Sequence, residues 1–138
     1  MRSNVTLSKP ARVLLVDDNE GMLKRAAAVL APACDVVGAV HDGVAALQAV
    51  SDVHPDVIVL DISMSGMNGF EVADRVRRNG STAAIVFLTV HVEEEFVAAA
   101  KAAGGIGYVV KSRIASDLKV AVQEASAGRP FNSPILLT

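Results

Sequence analysis

Tryptophan is absent from the 138 residues, cysteine and tyrosine occur once each, and neither sign of charge dominates. The single Cys34 excludes an internal disulfide and any cysteine-built metal cage. In its apolar run it reads as a small buried hydrophobe. Thirteen basic against fifteen acidic residues leave a net charge of −2. No basic field exists to collect phosphate backbones, so the chain by itself is a poor nucleic-acid binder. Charges or glycines interrupt every apolar stretch before it reaches the length of a bilayer span. Residues 1–11 (MRSNVTLSKPA) are short and polar and lack the apolar segment of a signal peptide. These absences predict a soluble, cytoplasmic protein without a membrane partner.

What is present is an apolar share of 51%, rich in Ala and Val, in a chain of single-domain length. Short β-branched runs alternate with longer amphipathic ones, the pattern of a parallel α/β sheet. The first run is Val13-Leu14-Leu15-Val16, followed by Leu23, Ala26, Ala27 and Leu30 at helical spacing, closed by Pro32. A strand over 35–40 and a helix carrying Val44, Leu47 and Val50 come next. Val57-Ile58-Val59-Leu60 is uninterrupted, as in a strand covered on both faces. A helix with Phe70, Ala73 and Val76 inward ends at Asn79-Gly80. The fourth unit is Ile85-Val86-Phe87-Leu88 and a helix over about 93–104. A short strand at 108–110 leads to a helix with Ile114, Leu118, Ala121, Val122 and Ala125 on one face, capped by Gly128. Five βα units result.

The polar residues fall at the strand ends. The four apolar runs lead into Asp17-Asp18, Asp61, Thr89 and Lys111. In an open parallel sheet these ends share one edge, where such folds bind ligands. Three clustered carboxylates repel and call for protonation or a cation. All-oxygen ligands with open positions suit Mg²⁺. Lys111 can hold a phosphoryl oxygen as a point charge and Thr89 can donate to another. An aspartate offset in this way can act as nucleophile and form an acyl phosphate. Taken singly, each residue has a plainer use: Asp17-Asp18 as a helix cap, Asp61 in a turn, Thr89 as a strand-end hydroxyl, Lys111 as a solvated charge.

The pieces VLLVDDNEGM, VIVLDISMSGMNGFEV, VFLTVH and GYVVKS, in this order and at these distances, resemble the receiver domains of two-component response regulators over about residues 12–128. The resemblance implies a flavodoxin-like (βα)5 doubly wound parallel sheet of strand order 2-1-3-4-5. It implies a phosphorylation-dependent signalling switch that catalyses only its own phosphorylation and slow dephosphorylation. Asp61 would be the phosphoryl acceptor. Mg²⁺ would be held by Asp18, Asp61 and the backbone carbonyl of Ser63, with Asp17 acting through water. Lys111 would pair with Asp61 and then with the phosphoryl group, and Thr89 would be the switch hydroxyl. Tyr108 fits a coupled aromatic switch and equally a core tyrosine. Ser63 and His91 stand where the family tunes acyl-phosphate lifetime, although His91 also reads as a surface imidazole.

Departures carry expectations of their own. Val90 replaces the usual Ala, which would narrow access to Asp61 for small phosphodonors. Ser65 and Ser112 replace common prolines, and without proline the Lys111–Ser112 peptide is expected trans. The segment from Gly107 to the end, GYVVKSRIASDLKVAVQEASAGRPFNSPILLT, resembles the NarL/LuxR subfamily. That divides the chain into a flexible segment at 1–11, a receiver at 12–128 and the start of a linker or tail at 129–138. The implied partners are a sensor histidine kinase, a second copy on phosphorylation, and DNA only through a C-terminal helix-turn-helix domain absent from this chain. A stand-alone receiver, acting by protein contact or as a phosphoryl sink, is the alternative within the class. A haloacid-dehalogenase-type phosphatase would want a carboxylate where Ser63 stands. A flavin carrier would not place Asp17-Asp18-Asn19-Glu20 after its first strand, since these repel a phosphate.

Overall fold

The computed structural model describes residues 9–134; the expectations for residues 1–8 and 135–138 lie outside the described residues. Five strands and five helices alternate: β1 (Arg12–Val16), α1 (Glu20–Leu30), β2 (Asp35–Val40), α2 (Gly43–Val53), β3 (Val57–Leu60), α3 (Gly69–Arg78), β4 (Ala84–Thr89), α4 (Glu94–Ala102), β5 (Gly105–Val110) and α5 (Ile114–Ser126). A two-residue β6 (Phe131–Asn132) follows. All pairings are parallel, in the order β2-β1-β3-β4-β5-β6. The expected 2-1-3-4-5 order is therefore present, with one strand added beyond β5. That strand lies within the segment 129–138 assigned from sequence to a linker or tail.

Strand periodicity explains the two layers. Side chains alternate faces along a strand, so Ile58 and Leu60 join Leu14, Val16, Ile85 and Phe87 on the side of α2, α3 and α4. Val57 and Val59 join Val13, Leu15, Val86 and Leu88 beneath α1 and α5. The central strands are buried on both faces, which is why they read as unbroken apolar runs. The α5 residues Ile114, Leu118, Ala121, Val122 and Ala125 all pack inward as expected.

Two helices differ from their expected faces. Val44 is 72% exposed; α2 instead turns Gly43, Ala46 and Val50 inward. A side chain on Gly43 would come within 2.8 Å of Met67, so this helix needs its smallest residues at the sheet. In α3, Phe70 is only half-buried, with Val72, Ala73 and Val76 carrying the inner face. The Phe70 ring meets Phe87 edge-on at 5.5 Å between centroids. Strand β5 also begins earlier than expected, at Gly105. Gly105 and Gly107 lower strand propensity, but the ring of Phe87 fills the space a Cβ at Gly105 would need.

Helix ends are set by local chemistry. Asn68 and Glu71 form a reciprocal capping box at the start of α3, and Gly128 adopts φ +79° just past α5. Gly69, the first residue of α3, packs directly on the acceptor strand's end: a Cβ there would stand 2.2 Å from the Asp61 carbonyl oxygen. Gly69→Ala is expected to cost at least about 2 kcal/mol through this overlap. Thermal unfolding alongside an exposed control such as Val44→Ala checks this, and an unchanged Tm for Gly69→Ala would contradict the packing.

Candidate phosphoryl-acceptor site

Each candidate residue directly follows, or lies one step beyond, a buried strand residue: Asp17 and Asp18 after Val16, Asp61 after Leu60, Lys111 after Val110, while Thr89 ends β4. The parallel register aligns Val16 with Leu60 and Leu60 with Phe87, so all these ends meet at one edge. Asp17, Asp61 and Thr89 are buried and Asp18 is exposed.

One carboxylate oxygen from each of Asp17, Asp18 and Asp61 can be chosen so that all three lie within 4.8 Å of one another. Lys111 Nζ sits 2.9 Å from Asp17 Oδ2 and 3.4 Å from Asp61 Oδ1. The ammonium thus bridges both carboxylates and stands nearer Asp17, where the family resemblance implied Asp61. Its approach to Asp17 Oδ2 lacks hydrogen-bond alignment, and that buried oxygen has no hydrogen-bond donor. A single positive charge is left to offset three negative ones. Burial first, then the charge of Asp17, raises the Asp61 carboxyl from its ordinary 3.8 to about 6, against the opposing pull of Lys111 and the Ser63 N–H.

The plainer reading of the acidic pair fails. The N-cap of α1 is Asn19, whose side chain accepts from Met22 N at 2.9 Å. Asp17 Oδ1 accepts from Asn19 N at 2.9 Å and Asp18 Oδ2 from Ser65 N at 3.4 Å, while Asp61 Oδ1 accepts from Ser63 N at 3.3 Å. These bonds turn the loops around the edge and leave carboxylate lone pairs facing one another. A cluster of three carboxylates with one ammonium against it fits a hard divalent cation such as Mg²⁺. Asp17, Asp18 and Asp61 are the residues that could hold it.

The rim is built by the β4–α4 loop. Thr89 Oγ1 accepts from His91 N at 3.2 Å. His91 Nε2 lies 2.8 Å from Ser63 Oγ, Nδ1 lies 3.7 Å from Glu93, and the ring stacks on Phe96 at 3.9 Å between centroids. His91 is therefore a held residue that joins two loops. Tyr108 is buried and its hydroxyl donates to the His91 carbonyl at 3.1 Å. Burial, then Glu93, pushes its phenol up to about 12. Val90 is 64% exposed. The Lys111–Ser112 peptide is trans. Sequence reasoning gave no role to Gly69, Asp117 or Ser133. The last two are buried polar side chains, signalled only by Arg113 standing four residues before Asp117.

The family description "Response regulator receiver domain" matches residues 13–123. The nitrate/nitrite response regulator protein NarL of Escherichia coli K12 is 37% identical over 131 residues, 93% of this chain and 60% of that protein. The transcriptional regulatory protein LiaR of Bacillus subtilis is 34% identical, over 86% of this chain and 57% of its own length. The chain thus spans well under two thirds of these relatives. A LuxR-family two-component response regulator from Aurantimonas sp. SI85-9A1 superposes with a TM-score of 0.88 at 30% identity, covering 94% of each chain. Among the described residues no helix is long and apolar enough to cross a membrane.

Because Asp61 holds its proton more tightly folded than unfolded, its contribution to stability in the metal-free protein falls as pH rises from about 4 to about 6. Asp61→Asn lacks this titration. The stability of Asp61→Asn relative to wild type is expected to grow across that window by up to about 3 kcal/mol and then level off. Urea unfolding at a series of pH values reads the difference, and a gap that does not change with pH would contradict the burial argument.

Proposed function

The chain belongs to the response regulator receiver domain family, of NarL/LuxR type, and on that premise we propose that it is a phosphorylation-dependent switch whose acceptor is Asp61. The observation that carries the reading is the convergence of Asp17, Asp18, Asp61, Lys111 and Thr89 on one sheet edge, with a buried Asp17 oxygen left without a donor. An Asp61 carboxylate oxygen attacks the phosphorus of a histidine-bound phosphoryl group. The new O–P bond forms as the P–N bond breaks, and the imidazole leaves with the electron pair and takes up a proton. The product is an acyl phosphate.

Lys111 supplies one positive charge to the transferred oxygens, moving from the Asp17–Asp61 pair to the phosphoryl group. Thr89 turns its hydroxyl toward a second oxygen and so gives up its bond from His91 N. The bond of Tyr108 to the His91 carbonyl links that loop to β5, which supports Tyr108 as the coupled aromatic of the switch. Asp18, Asp61 and the Ser63 carbonyl would hold Mg²⁺, with Asp17 acting through water, and the ion would supply the remaining charge neutralisation. Ser63 and His91, hydrogen-bonded at the rim, tune how long the acyl phosphate lasts.

The donor in this reading is a sensor histidine kinase in the cytoplasm. The relatives' names support transcription control. Output would then run through dimerisation on phosphorylation and a C-terminal helix-turn-helix domain outside this chain.

Incubation with Mg²⁺ and a phosphodonor is expected to add about 80 Da, one phosphoryl group, in intact-mass measurement and to add nothing to Asp61→Asn. No gain from either a small donor or a phosphorylated histidine kinase would overturn the acceptor assignment. Val90, exposed next to Thr89, is expected to slow small donors. Val90→Ala should label faster with acetyl phosphate, and equal rates would remove that steric role.

A further inference from the structure

Asp117 and Ser133 are buried polar groups that the phosphoryl reading leaves unused. Their position follows from how β6 ends. In a parallel pair the N–H and C=O groups of alternate residues face the same neighbouring strand. On that edge the Tyr108 carbonyl accepts from Ser133 N at 2.9 Å. The next group along the edge is the Val110 N–H, but β6 has ended, and Pro134 follows with no donor and a fixed φ. The Ser133 hydroxyl, in a residue 1% exposed, takes the place of the missing strand: Oγ accepts from Val110 N at 3.1 Å.

That hydroxyl donates its own hydrogen to Asp117 Oδ2 at 2.8 Å. The same oxygen accepts from Arg113 Nε at 2.8 Å, and Oδ1 accepts from Ser116 Oγ at 2.9 Å and from Arg113 at 3.4 Å. Val110 and Arg113 are therefore tied to one buried network. Only Lys111 and Ser112 stand between them, inside the 3₁₀ turn Lys111–Arg113. A lysine is a point charge on a flexible stem, so where its ammonium can reach depends on how firmly its backbone is held. Here that backbone is fixed on both sides, and Nζ lies between Asp17 and Asp61.

We propose that Asp117 and Ser133 are positioning residues for Lys111, and that their clasp makes the β6 segment part of the phosphoryl-binding machinery. The inference rests on Asp61 being the phosphoryl acceptor. Docking of residues 131–133 on β5 and presentation of the Lys111 ammonium then become one event. Loss of the Ser133 hydroxyl leaves the Val110 N–H buried without an acceptor and Asp117 one donor short.

The test uses the full chain and beryllofluoride, a phosphoryl mimic, titrated in Mg²⁺ by calorimetry, with Mg²⁺ alone titrated separately. Wild type, Ser133→Ala, Lys111→Ala and the double variant are compared. Ser133→Ala is expected to weaken beryllofluoride at least about five-fold, the effect of one buried hydrogen bond, with Mg²⁺ affinity unchanged. In the Lys111→Ala background the same substitution should have no further effect. In ligand-free protein, amide exchange at Val110 and Lys111 should accelerate in Ser133→Ala. Asp117→Asn, which keeps the side chain's shape, should reproduce the pattern and replaces Ser133→Ala if that variant does not fold.

Unchanged beryllofluoride affinity in a folded clasp variant overturns the inference. So does an equal loss with and without Lys111, or a parallel loss of Mg²⁺ affinity, since either shows a general loosening of the site. Wild type that binds no beryllofluoride would remove the acceptor assignment itself, and the clasp's role with it.

Discussion

The uncompensated charge at the carboxyl edge of the sheet is the constraint on which the rest of the structure depends. Three carboxylates share one ammonium there, and two of the three are buried. Isolated in water such a group would spread apart. Here it cannot, because each member lies one or two residues past a strand residue sealed between two helical layers: Val16, Leu60 and Val110 are all at most 3% exposed. The apolar core, packed too densely to deform, supplies the precision of the polar site. Repulsion held in place by packing is a reservoir of affinity for any cation or phosphoryl group that relieves it.

The loops around that edge are arranged so that relief can reach the surface. Thr89 is tied to His91 N, the His91 carbonyl to Tyr108, and the His91 ring to Ser63 in the neighbouring loop. A shift of one hydroxyl at the site therefore disturbs bonds in two loops and at the β5 side chain. These are single hydrogen bonds, each worth about 1 kcal/mol net, few enough for the proposed switch to exchange them between two arrangements.

The architecture and the acidic edge were legible in the sequence because both are written in local pattern. Strands such as Val57–Leu60 are unbroken apolar runs, and the chemistry follows them by one residue. What was hidden depended on contacts across the fold. Val44 satisfies helical periodicity yet faces solvent, because the close approach of Met67 admits only Gly43 at that point. Gly105 and Gly107 fall before the strand expected at 108–110, yet both lie in β5, where Phe87 fills the Cβ space at Gly105 and Val86 that at Gly107. Asn19, and not the aspartates before it, turned out to cap α1. Strand β6 is two residues long and carries no periodicity at all; Ser133 just beyond it, which looked like a linker residue beside a proline, is bonded to Tyr108, Val110 and Asp117.

Asp61 and Asp117 show how one fold sets two buried aspartates to opposite tasks. Burial raises the proton affinity of both. At Asp117 the hydrogen bonds from Arg113, Ser133 and Ser116, together with the Arg113 charge, outweigh it and hold the carboxyl below its ordinary value. At Asp61 the neighbouring Asp17 adds to burial, and Lys111 and one backbone N–H do not offset them. The difference lies in donor supply. A carboxylate surrounded by donors is a finished structural joint, stable from neutral pH down through the ordinary carboxylate range until its own lowered pKa is reached. A carboxylate short of donors still has lone pairs to offer, which is what a nucleophile and a cation ligand require. In the proposed clasp the finished joint is bonded to Arg113 and, through Ser133, to Val110, on either side of Lys111, so it would hold that lysine without sharing the charge of the unfinished one.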